Sequence, residues 1–341
     1  MARHAHLIGS VGLEDTETAI STVADVLGDS CTRIPDGETG ERGYWIRWQI
    51  SNFENCDDLE LKLVTQTVSG FKDKLERPFF CIKDGADPAA IDLGELGYAD
   101  EAIESYAIFK ALKANGEIGA DVRFQVSIPS PMALVVGFIM PDSQLGIEPA
   151  IIAAMKRDLA KLQAVIPADE LAIQFDICYE VIGHEGAANL PYEDTLGESV
   201  KRAGHMCDEV GSEVELGIHL CYGDPGHKHI VEPSDLGTSV AFANGIIDAA
   251  SRKINFMHMA VPKDRNDEAY FAPLNGLSMP AETRLILGLV HHTDGVEGGM
   301  ARIATAEKFV KDFDIATECG FGRREPTTIP ALLQIHRELC D

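Results

Sequence analysis

The sequence predicts an α/β fold, a (β/α)8 TIM barrel, on three observations. Short apolar runs alternate with longer amphipathic segments from one end to the other. Many of those runs are apolar on both faces, as strands of a covered parallel sheet must be. Polar and metal-binding side chains recur where run after run ends, which is where barrel enzymes keep their chemistry.

The elements follow in order. HAHLIGS (4–10) is the opening strand, TETAISTVADVLG (16–28) an amphipathic helix, and CTRIPDG (31–37) the second strand. FFCIK (79–83) makes nine candidates where a barrel needs eight, so it is assigned to a side strand in an insertion between the second and third barrel strands. VRFQVSI (122–128) is the third barrel strand, and PAIIAAMKRDLAKLQAVI (149–166) reads as a helix before LAIQFDI (171–177). VELGIHLC (214–221), KINFMHM (253–259) and LILGLVHH (285–292) come next, then a helical TAEKFVKDF (305–313) and the last strand, DIATEC (314–319). Alternation of this kind signals βαβ units with right-handed crossovers. No repeat, low-complexity tract or linker divides the chain, so 1–341 reads as a single domain. A doubly wound open sheet is the alternative, but no glycine-rich dinucleotide fingerprint follows the first strand.

Lys and Arg total 29 against 55 Asp and Glu, a net charge of −26. Such a surface repels phosphate backbones and anionic membranes, which argues against nucleic-acid and membrane roles. The start, MARHAHLIGSVG, lacks the apolar core of a signal peptide, and no run approaches a membrane span. A cytoplasmic protein is expected. Most of the eight cysteines sit inside apolar runs, and in a reducing compartment paired cysteines point to metal or catalysis before disulfides.

The strand ends collect Ser10, then Asp36 and Glu38, Ser127 and Ser130, Asp176, His219 and Cys221, His258, His291, His292 and Asp294, and finally Cys319. His219 and Cys221 lie two apart on one strand and therefore face the same way. With Cys319 they form an imidazole–thiolate set that favours zinc.

HLCYG followed by ECGFG resembles the H-x-C … C zinc signature of the cobalamin-independent methionine synthase family, in its C-terminal catalytic barrel. HLIGS, PDGETGERGYWIRWQ, FQVSIPSP, QFD and GLVHHTDGVEG resemble that family's landmarks in the same order, over most of the 341 residues. The resemblance implies Zn2+ on His219, Cys221 and Cys319. It places Ser10, Glu38 and Asp176 where the family holds the backbone carboxylate and amino group of homocysteine; Asp36 and Ser130, at the ends of the second and third strands, are further substrate-binding candidates. It departs where the family has a glutamate ligand: here the strand reads INFMHMAVPKDR, and His258 either replaces that ligand or contacts substrate. DICYE in place of an acidic–proline pair leaves the amino-acid specificity open.

The implied activity is methyl or alkyl transfer to a thiol, homocysteine or a relative, activated as a zinc thiolate. His291, His292 or Asp294 would protonate a leaving group. The partners would be a small-molecule thiol and an alkyl donor, with a folate or a corrinoid carrier among the candidates. A divergent relative taking an epoxide or methoxy donor, a zinc hydrolase and a metal-free binding barrel are the alternatives. Two cysteine ligands disfavour the hydrolase, because sulfur donation makes zinc a poorer Lewis acid.

Overall fold

The computed structural model describes residues 3–66, 74–225 and 228–341. Eight parallel strands form one sheet, in spatial order β1, β10, β9, β8, β7, β6, β5, β2. They are β1 (Ala5–His6), β2 (Arg33–Pro35), β5 (Arg123–Pro129), β6 (Leu171–Ile177), β7 (Glu215–Leu220), β8 (Phe256–Ala260), β9 (Arg284–Val290) and β10 (Asp314–Thr317). The ends of this sheet meet through parallel bridges from Ala5 to Cys31 and from Ser10 to Gly37. The predicted barrel is therefore present, with helices crossing back between its strands.

The remaining strands, β3 (Leu59–Gln66) and β4 (Leu75–Ile82), form an antiparallel hairpin between β2 and β5 in the chain. FFCIK is thus a side strand, as its surplus over eight suggests, and Phe80 anchors it through a bridge to Ile139. Its partner β3 is absent from the sequence reading. LELKLVTQ alternates, but its apolar side is half open to solvent, with Leu61 and Leu63 exposed. The helix expected over 305–313 is also displaced. Gly295–Ala306 is the helix, and a turn, Val310 N–H to Ala306 carbonyl at 3.0 Å, leads into β10. Gly299 allows this earlier helix to sit against Leu339 of the last helix, Ile329–Cys340, where a Cβ would approach a Leu339 methyl to 2.5 Å.

The barrel interior is filled in layers. At the N-terminal end Arg33 bonds Glu215 at 2.6 Å and lies 4.2 Å over the Phe256 ring. Phe256 then packs with Ile8, Ile286 and Ala316. A Cβ on Gly217 would stand 1.9 Å from the Phe256 ring, so this position must be glycine for the floor to close. Above it the interior turns polar. His6 bonds Gln174 at 2.8 Å, and Gln174 donates to the Ile8 carbonyl at 2.7 Å and to Asp176 at 2.9 Å. Each of these buried polar groups is positioned by another, and together they fix the site above.

Candidate metal and substrate site

His219 is the penultimate residue of β7 and is buried, and Cys221 follows two residues later, just past the strand. Cys319 arrives from the loop after β10. One ligand atom from each, an imidazole nitrogen and two sulfurs, lies within 4.8 Å of the others. The sulfurs are 3.9 Å apart. His219 Nδ1 lies 2.7 Å from His258 Nδ1, which leaves Nε2 buried with no hydrogen-bond partner among the described residues. An orphaned imidazole nitrogen beside two thiols is the donor set that zinc selects, so these residues fit the metal.

His258 stands behind this set. Its Nε2 is 3.0 Å from the Thr317 carbonyl and its Nδ1 meets His219, so both of its nitrogens are occupied. The expectation that His258 fills the glutamate position as a ligand is not what the geometry gives. A carbonyl only accepts, so His258 Nε2 carries a proton. Burial pushes His258 down to about 3, so the ring is neutral and its Nδ1 accepts from His219 Nδ1–H. That leaves the outer nitrogen of His219 with its lone pair free.

The thiols are held above their ordinary range. For Cys221 the main cause is hydrogen bonding with Cys178, and for Cys319 it is hydrogen bonding with Cys221, burial adding to both. Arg323 opposes this, with Nη2 3.9 Å from Cys319 Sγ and Nε donating to the Asp224 carbonyl at 3.0 Å.

These groups line a pocket of about 260 Å³ together with Ser10, Glu38 and Asp176. Glu38 has a φ of 42°, and its neighbour in the pocket wall, Trp45, one of 59°. Non-glycine residues held in this region mark strain that the surroundings must impose, and such strain clusters at functional sites. The Glu38 carboxylate leans over Gly9, where a Cβ would come within 2.4 Å of it. Burial, then the charges of Asp36 and Asp176, holds Glu38 well above the usual carboxylate range. Burial likewise pushes Asp176 up to about 7, against hydrogen bonds from Gln174 and Trp45. A positive charge beside two carboxyl groups raised in this way would favour their ionised forms.

Other predicted residues stand apart. Asp36 is not in the pocket lining; it accepts from the Glu38 backbone N–H at 2.9 Å and from Arg42 at 2.6 Å, so it shapes the Glu38 turn. Ser130 caps helix Pro131–Phe138 by accepting from Ala133 N–H at 3.2 Å, and it faces a different cavity. Asp294 is bound by Arg302 at 2.6 and 3.0 Å. His291 donates from Nε2 to the Val261 carbonyl at 2.9 Å, and it and His292 line a neighbouring cleft. The structure therefore does not place the proposed proton donors in the thiol pocket.

The sequence reading missed Arg77, Trp45, Cys178, Tyr179 and Arg323, all of which line the pocket. Arg77 comes from the inserted hairpin, and Trp45 and Tyr179 stack with their rings 9° apart. Arg323 was legible, being four residues beyond Cys319 in the ECGFGRR stretch.

No protein-family model matches the chain, and no curated protein matches it. Solved structures do. A B12-independent methionine synthase from a Shewanella species, in complex with selenomethionine, superposes with a TM-score of 0.63 at 12% identity, over 100% of this chain and 97% of that one. A putative vitamin-B12-independent methionine synthase from Listeria monocytogenes gives 0.57 at 14% identity, over 98% and 97%. A methyltransferase from Methanosarcina mazei gives 0.50 at 11%, over 97% and 94%. At these identities the likeness is one of fold. Among the described residues, no helix is long and apolar enough to cross a membrane.

Proposed function

We propose that the chain is a zinc-dependent transferase that moves a methyl or alkyl group to a small thiol. The observation that carries this reading is the convergence of His219, Cys221 and Cys319 in one pocket with Glu38 and Asp176. The fold shared with two methionine synthases and a methyltransferase supports it. Zinc, when bound, would supply the positive charge that keeps an incoming thiol deprotonated near neutral pH.

The chain's own residues do the rest. His219 offers Nε2 because His258 holds the proton on the other nitrogen. Glu38 and Asp176, ionised in contact with an ammonium group, orient an amino-acid thiol such as homocysteine. Ser10 belongs to the same wall, its Oγ accepting from Gly322 N–H at 3.1 Å. The stacked rings of Trp45 and Tyr179 line the same pocket and exclude water from it. Arg77 and Arg323 together favour a second reading within the class, an acceptor whose thiol is joined to an anionic group and needs no amine.

The test is thiol methylation by methyl iodide at pH 7, followed with and without zinc. The zinc-loaded protein should accelerate methylation of homocysteine, and Cys221→Ser or Cys319→Ser should abolish the acceleration. Equal rates for these variants and the parent would remove the thiol-activating role.

A further inference from the structure

The C-terminal mouth of the barrel holds a second chamber. A cleft of about 470 Å³ lies over the ends of β7 to β10, beside the thiol pocket. The wall between them is built by two loops whose residues divide between the chambers. In the loop after β10, Cys319 and Arg323 face the thiol pocket while Glu318 and Arg324 face the cleft. In the loop after β7, Asp224 and Ile230 face the pocket while Lys228 and His229 face the cleft.

The cleft's charges run against the molecule's. The chain carries −26, yet in this one cavity Lys228, Lys263, Arg265 and Arg324 outnumber the carboxylates Glu232, Asp264 and Glu318. Its carboxylates are partly consumed: His229, buried, stands 3.1 Å from Glu318 and 3.2 Å from Glu232. Arg265 is taken by Asp267 at 2.9 Å. Lys228 and Lys263 form no ion pair with a described residue, and Arg324 Nε is buried with no hydrogen-bond partner among them. A buried guanidinium N–H without an acceptor costs free energy that a ligand oxygen would recover.

We propose that this cleft binds a small organic anion through a carboxylate or phosphate group, seated on Arg324, Lys263 and Lys228. The low-dielectric walls formed by Pro233, Pro262 and the buried rings of His229 and His291 strengthen such an attraction over that of an open lysine patch. The anion site does not depend on the zinc reading. That the anion is the tail of the second reactant, its reactive end reaching over the 318–324 wall, does rest on that reading.

The test uses the whole protein and two probes, inorganic phosphate and succinate, titrated at constant ionic strength against chloride. The ring C–H resonances of the histidines are followed by NMR and assigned by single His→Gln variants. The expected result is a saturable shift of His229 and His291, with His219 and His258 unmoved. Arg324→Gln with Lys263→Gln should weaken it by about tenfold or more, with zinc content unchanged. The probe with the tighter constant tells phosphate from carboxylate. A shift that never saturates, one centred on His219, or one undiminished in the double variant would overturn the assignment. The parent's pattern of shifted resonances decides the matter even if the double variant fails to fold. Loss of zinc with the anion response intact would count against the metal reading alone.

Discussion

Replacing His258 by alanine should weaken zinc binding while leaving every residue of the proposed ligand set in place. The His219 ring is oriented by one contact, Nδ1 to His258 Nδ1 at 2.7 Å, and His258 is in turn tied to the Thr317 carbonyl at 3.0 Å. The relay thereby links β7, which carries His219 and leads into Cys221, to β10, which leads into Cys319. Without it a buried N–H loses its acceptor, at a cost of about 1–3 kcal/mol. The proton can escape this by moving to Nε2, but that blocks the nitrogen that should bind metal. Either way the expected loss is roughly ten- to a hundredfold in affinity, the range found for partners of metal-ligating histidines. The assay is competition for zinc against a chromophoric chelator, with the cobalt-substituted visible spectrum as a second readout. His258→Asn is the control, since its side-chain oxygen falls near the lost Nδ1 and accepts the same proton; it should recover most of the affinity. Zinc affinity of the alanine variant within about twofold of the parent would refute the relay. Equal losses in alanine and asparagine would reduce His258 to a packing residue.

Other expectations follow from the same geometry. Glu38→Gln and Asp176→Asn should each raise KM for homocysteine by about ten- to a hundredfold, the loss of a charge-assisted hydrogen bond. They should scarcely affect a simple alkyl thiol with the same donor; equal losses for both thiols would mean that no ammonium is read here. Gly217→Ala should lower stability by about 1–3 kcal/mol or more, measured as a fall in the urea midpoint, because the new methyl meets the Phe256 ring. Burial pushes Asp158 up to about 6 from an unfolded value of 3.8. Its contribution is full below pH 4 and is lost as pH rises through 6, when the folded state must hold a buried charge. Asp158→Asn keeps an acceptor for Tyr98 N–H and should gain about 1–3 kcal/mol at pH 7.5, with no gain at pH 3.5. A gain independent of pH would refute that cause.

Much of the barrel was legible because its strands are buried on both faces and so read as continuous apolar runs: LAIQFDI matches β6 residue for residue. β3 was not, because a hairpin standing off the barrel leaves its apolar residues exposed and its pattern weak. The convergence of His219 and Cys221 was legible from spacing, since the two share a face by strand geometry alone. The hydrogen bonding of His258 was not. Sequence places a nitrogen base on the right strand, but only the fold shows that Thr317 and His219 use both of its nitrogens. Asp36, Ser130 and Asp294 misled for a common reason. Polar residues at strand ends also form turns, cap helices and pair with arginines, and the partners that absorb them lie six, three and eight residues along the chain. Arg77 was invisible because a distant hairpin delivers it.

The most direct test of the account is X-ray absorption at the zinc edge, on the zinc-loaded protein before and after addition of homocysteine. The inner shell should contain one imidazole and the two sulfurs of Cys221 and Cys319, and gain one further sulfur when the thiol is added. A shell of nitrogen and oxygen alone, or a sulfur count that the thiol leaves unchanged, would contradict it.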